Sequence, residues 1–299
     1  MLQLHRLAVV IGSLLIAGLA APTVQAANFN PPKHYYLALG DSNAFGAQLG
    51  KFFQELSTGT YDPASFNTGY VDDFATRMRT IDPQLETVNL SCPAESTSTF
   101  LGEGALPFKS CPFRVLLPQL ALHTNYSGSQ ESAALEFLRE HPGQVSPLTI
   151  DIGLGDAIFQ CAGPTFLVDV ACFRRTTPSA LVSVAHNLPK ILADLHKASP
   201  SSEIIVATYY NPFYVQDPST DDLVASLNEE ITSIATAAGA RLADAFQPFN
   251  RTGGEATTIC RLTLMCPGLD YHPSDLGYGV IAQQFWAASG FERLGGSSN

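Results

Sequence analysis

The sequence predicts an α/β fold built on a parallel sheet covered by helices on both faces. Five short runs rich in β-branched and aromatic residues recur along the chain, and segments with helical spacing separate them. The 299 residues are 45% hydrophobic and 14% charged, enough for a sizeable buried core and too apolar for a disordered chain. Strands that alternate with helices imply parallel pairing, and functional groups in such sheets gather in the loops after the strands' carboxyl ends.

Residues 1–26 read as an export signal. One positive charge, Arg6, precedes the apolar run 7–19, which is shorter than the roughly 20 residues of a membrane span, and Val24-Gln25-Ala26 offers small residues for cleavage. A secreted, extracellular protein is the expectation, with no integral membrane segment in the mature chain. The first strand is expected over residues 35–40 (Tyr-Tyr-Leu-Ala-Leu-Gly). Residues 46–68, rich in Gly, Ser, Thr and Phe, read as a loop or lid, and a helix follows over 70–81. The second strand is expected over 86–90, a helix over 132–140, and the third strand over 148–153. In the segment 178–197, Thr177 can cap a helix and Pro178 suits its first turn, while Pro189 should kink or divide it. The fourth strand (203–209), a helix over 221–238 stopped by Gly239, a weaker strand over 241–245 and a helix over 275–289 capped by Ser274 complete the pattern. The last residues, 295–299, read as a frayed tail.

Sixteen basic residues against 27 acidic give a net charge of −11; removing residues 1–26 takes away Arg6 and makes it −12. So acidic a chain is a poor partner for nucleic acid or an anionic membrane surface. The six cysteines, Cys92, Cys111, Cys161, Cys172, Cys260 and Cys266, all follow the signal, and an even number in an exported chain suggests disulfides. Pairing of sequence neighbours is favoured because each bridge then closes a short loop. No Cys-x2-Cys or His-x3-His spacing suggests a metal site, and no cofactor motif is present.

Three candidate loops fall after strands on one edge of the sheet: Gly40-Asp41-Ser42, Cys92-Pro93-Ala94 and Gly153-Leu154-Gly155-Asp156. A serine hydroxyl is a weak nucleophile until a base takes its proton, and that base is most often a His fixed by a third group. Of the seven His, His272 stands out in Asp270-Tyr271-His272-Pro273, because Pro273 restricts the backbone of His272 just before the last helix. Each motif alone is common; their positions at the first strand and the last helix make the pair informative. Asp151 and Asp156 as a carboxylate pair for glycoside chemistry are a weaker alternative.

In these motifs the chain resembles the SGNH hydrolases, also called GDSL esterases and lipases. Gly40-Asp41-Ser42 is similar to the first block of that family, with Asn43 where Leu is common, the run 89–96 to the second, the run 150–156 to the third, and Asp270-Tyr271-His272-Pro273 to the fifth. The resemblance spans residues 35 to about 285. It implies a three-layer α/β/α, flavodoxin-like fold with a five-stranded parallel sheet, in a single domain over residues 27–299. It implies a secreted serine carboxylic ester hydrolase acting on a small-molecule or lipid ester, with Ser42 as nucleophile and His272 as base. The oxyanion would be held at Ser42, Ala94 and Gly155.

Three departures from the family pattern stand out. Gly155 replaces the usual Asn, a donor whose loss typically costs about a hundred- to a thousandfold in rate. Ala94 replaces Gly. The usual acid position is Leu269, so either Asp270 orients His272 as a triad or a backbone carbonyl near Leu269 leaves a Ser–His dyad. A non-catalytic binding protein of the same fold, or an acyltransferase or thioesterase, is the alternative function. Aromatic residues at 45, 52, 53, 209, 210, 213 and 214 are candidates for lining a pocket.

Overall fold

The computed structural model describes residues 29–59 and 61–294. The expected export signal at 1–26 and the expected tail at 295–299 lie outside the described residues. Five parallel strands form one sheet: β1 (Tyr35–Gly40), β2 (Glu86–Asn89), β3 (Val145–Asp151), β4 (Ile204–Ala207) and β5 (Arg241–Ala243), in the order β2-β1-β3-β4-β5. Every residue of β3 and β4 is buried, as strands covered on both faces require. Helices Tyr70–Met78 and Asp275–Ser289 pack together in one layer; Gln130–Glu140, Val170–Ala198 and Asp221–Ala237 pack in the other. The expected three-layer α/β/α architecture is the one observed.

The last helix spans Asp275–Ser289, with the Ser274 hydroxyl accepting from Gly277 N at 3.2 Å. Two expectations need correction. The helix expected over 178–197 runs unbroken over Val170–Ala198, through both Pro178 and Pro189. Its cap is Asp169, whose carboxylate accepts from Ala171 N and Cys172 N at 2.8 and 3.1 Å. The Thr177 hydroxyl instead donates back to the Phe173 carbonyl at 2.7 Å. A continuous buried stripe, Phe173, Ala180, Val184, Leu188, Ile191 and Leu195, carries the helix through the prolines, whose exposed face tolerates the missing N–H donors.

The segment 46–68, expected as a loop or lid, contains the helix Leu49–Thr58 and a short 3-10 turn, Pro63–Phe66. Leu49 and Phe52 bury one face of that helix, in a second small core with Phe45, Phe66, Phe113, Leu120 and Leu122. The cysteines pair as sequence neighbours: Cys92–Cys111, Cys161–Cys172 and Cys260–Cys266, with Cα separations of 5.6, 5.5 and 5.1 Å. The first of these bridges lies in the second core.

Candidate active site

The three loops expected at one edge of the sheet do converge. Asp41, Ser42, Ala94, Glu95 and Gly155 line one cavity of about 440 Å³, and Ser42, Ala94 and His272 line an adjoining one of about 40 Å³.

Ser42 opens the short helix Ser42–Phe45 that directly follows β1. Gly40 makes this tight exit possible. Its φ is +135°, and a Cβ there would overlap the Asp151 carboxyl of the neighbouring strand. Asp41 caps the turn, its Oδ1 accepting from Asn43 N at 2.9 Å. Its Oδ2 accepts from the Tyr209 hydroxyl at 2.8 Å.

Beneath the turn, Asp151 lies wholly in the interior. Burial, and then the charge of Asp41 beside it, push its carboxyl well above the usual range. The Tyr70 hydroxyl donates to Asp151 Oδ1 at 2.7 Å, while Oδ2 is buried with no hydrogen-bond partner among the described residues. Asp156 accepts from Thr97 N and from the Thr97 hydroxyl at 2.8 and 2.7 Å. Asp156 thus ties the third loop to the chain after the second.

His272 is almost fully buried, at 2% exposure. Asp270 Oδ1 accepts from its Nδ1 at 2.6 Å and from its backbone N at 3.1 Å, and Asp270 Oδ2 accepts from Leu49 N at 2.7 Å. Burial opposes the charge on Asp270, yet the nearby His272 and these hydrogen bonds outweigh it and hold the carboxyl below its ordinary value. With Nδ1 engaged, Nε2 is left buried and without a hydrogen-bond partner among the described residues. Leu269, at the position where the resembled family has its acid, is half exposed and sits in the left-handed region at φ +54°.

Ala94 also has a left-handed backbone, φ +66°, which suits the Gly usual at this position. Gly155 lies in the first turn of the short helix Leu154–Ile158, where N–H groups have no intrahelical acceptor. A Cβ on Gly155 would overlap the Glu95 carbonyl oxygen, so the backbone of the second loop occupies the place of a side chain.

A buried clamp, not foreseen from sequence, ties the first two loops together. The Gln130 side chain accepts from Gly40 N at 2.7 Å and donates to Gly40 O at 2.9 Å and to Glu95 Oε2 at 3.0 Å. Glu95 Oε1 accepts from Cys111 N at 3.2 Å. Burial raises the Glu95 carboxyl to about 7 despite these hydrogen bonds. The only sequence hint was a Glu placed directly after Ala94. Of the suggested aromatic lining, Phe52 does reach the small cavity. Phe45 and Phe213 are core, Phe53 is exposed, and Tyr209 and Tyr210 spend their hydroxyls on Asp41 and on the Tyr271 carbonyl.

No protein-family model matches the sequence, and no curated protein matches it. Solved structures do. Phospholipase A1 from Streptomyces albidoflavus aligns at a TM-score of 0.55 and 17% identity, over 86% of this chain and 99% of its own. An acetylxylan esterase from Geobacillus stearothermophilus aligns at 0.53 and 16%, over 88% and 97%. An extracellular lipase from Streptomyces rimosus aligns at 0.51 and 18%, over 85% and 99%. This chain has the SGNH-hydrolase fold. Ser42, Ala94, Gly155 and His272 stand together in the loops at one edge of its sheet.

Proposed function

We propose that the protein is an exported carboxylic ester hydrolase that works through an acyl-enzyme on Ser42. One observation carries the reading: the Asp270 carboxylate grips His272 Nδ1 and leaves Nε2 buried, with no partner among the described residues, beside a cavity that Ser42 also lines. That tautomer is the one a serine hydrolase needs. The triad is favoured over the dyad because Asp270, two residues before His272, reaches the ring through its own side chain.

In the proposed cycle, Ser42 Oγ attacks the ester carbonyl as its proton passes to His272 Nε2. The oxyanion lies against the backbone N–H groups of Ser42, Ala94 and Gly155. His272 returns the proton to the departing alcohol. Water, activated by the same nitrogen, then releases the acid and regenerates Ser42. With a glycine in the third position, every oxyanion donor comes from backbone. Three disulfides and an expected signal at 1–26 support export. Among the described residues no helix is long and apolar enough to cross a membrane.

Hydrolysis of short carboxylic esters by the purified protein tests the reading. Ser42→Ala should abolish turnover, and Asp270→Asn should lower kcat by about a thousandfold or more, through loss of the correct tautomer. Turnover that survives Ser42→Ala would overturn the assignment.

A further inference from the structure

Two cavities meet at Ser42, and the chemistry of ester cleavage assigns them different parts of a substrate. The base must hand its proton to the leaving oxygen, so the alcohol lies on the His272 side. The oxyanion faces the backbone N–H groups, and the remaining substituent of the carbonyl carbon is the acyl chain. The cavity of about 40 Å³ touches His272; the cavity of about 440 Å³ touches Asp41, Ser42, Ala94 and Gly155 but not His272. We infer that the larger cavity is an acyl pocket for a medium-length hydrocarbon chain, and that the Phe108–Phe159 pair forms its far wall. This assignment rests on the ester-hydrolase reading for the identity of the reaction.

The walls fit a hydrocarbon. Phe108, Leu116, Ile158, Phe159 and Phe166 give the lining a mostly apolar surface, with Glu95 and Gln160 among its polar members. The pocket is also a built structure. Residues 162–168 form a small hairpin, with Gly163 N donating to Leu167 O at 3.0 Å and Phe166 N to Gly163 O at 2.8 Å. The Cys161–Cys172 bridge pins this hairpin to the long helix Val170–Ala198. At its tip Phe166 is held in the left-handed region, φ +60°, and lines both cavities, so its ring stands between the acyl and alcohol sides. A bulky residue in that conformation is a strained position that its surroundings must hold in place.

The far end is defined by Phe108 and Phe159, whose rings meet edge to face with centroids 5.1 Å apart. The same two rings also border a shelf of about 330 Å³ bearing Ser96, Ser98, Asp156 and Ser183, where a methylene gains little. A methylene takes roughly the ~30 Å³ share of a water molecule, so about fifteen would fill the pocket completely, and with the loose filling of a flexible chain it suits an acyl group of about eight to twelve carbons. The alcohol side, holding about one water's volume, suits a small alcohol or one that leads directly to solvent.

The test uses ethyl esters of straight-chain acids from two to sixteen carbons, with released acid followed by titration. Expected is a kcat/KM that climbs by up to about fourfold per methylene and peaks near eight to twelve carbons. Phe159→Ala should move the peak to longer chains and Phe159→Trp to shorter ones. A profile that is flat or best with acetate, or a peak that neither variant moves, overturns the pocket while leaving the hydrolase intact. Calorimetry on Ser42→Ala reads the same pocket without turnover: decanoate should bind at least about a hundredfold more tightly than butyrate. Decanoate binding without hydrolysis of any ester keeps the pocket and sinks the reaction; equal or absent binding of both acids overturns the pocket.

Discussion

Gly155 has the Glu95 carbonyl directly over its Cα, and that contact explains why an amide side chain is missing from the site. Restoring the residue usual in the resembled family should therefore not restore a donor. Gly155→Asn is expected to destabilise the protein by about 1–3 kcal/mol through overpacking and to give no gain in kcat, read by urea unfolding and ester turnover. A stable and faster variant would contradict the close packing. Ser42, His272 and Asp270, the proposed triad, are candidates on sequence because each sits in a short motif at an element boundary. Gln130 and its contact with Gly40 could not, since a Gln in a helix carries no local sign of what it reaches 90 residues away.

At the scale of elements, the inner strands β1, β3 and β4 are legible because burial on both faces leaves apolar runs that no surface helix would show. The helix Val170–Ala198 was misread at its start because Thr177-Pro178 has the form of a cap, and only tertiary contacts reveal that Phe173 already belongs to the buried stripe. Helix Leu49–Thr58 was missed because its apolar face is built from just Leu49 and Phe52, packed on residues distant in sequence. Yet its first N–H holds Asp270. The prolines of the long helix cost stability without shaping the site. Pro189→Ala is expected to stabilise the fold by about 1–3 kcal/mol, since an exposed position regains helix propensity and an N–H donor. Thermal or urea unfolding measures this, and a destabilised variant would show that the proline ring is needed there.

For the whole molecule, stability should depend on pH in a direction set by its buried acids. Burial raises Glu95 to about 7 and Asp156 and Asp72 to about 6, each above its ordinary value. Such groups favour the folded state most when protonated. Their contribution is complete below the unfolded-state values near pH 4 and is lost as pH rises to about 7. The charge on Asp270, held below its ordinary value, acts oppositely and only at lower pH. The urea midpoint should therefore fall between pH 5 and pH 8, with Glu95 alone accounting for on the order of 3 kcal/mol. Glu95→Gln should flatten that fall; an unchanged slope would place the titration elsewhere.

The proposed function rests on a serine, a histidine and an aspartate brought together at one sheet edge from far apart in the sequence. Reaction with a fluorophosphonate, followed by peptide mapping, tests this most directly. The expected result is a single adduct on Ser42, formed at least about a hundredfold more slowly in His272→Ala. Absence of an adduct, an adduct on another residue, or labelling indifferent to His272 would contradict the account.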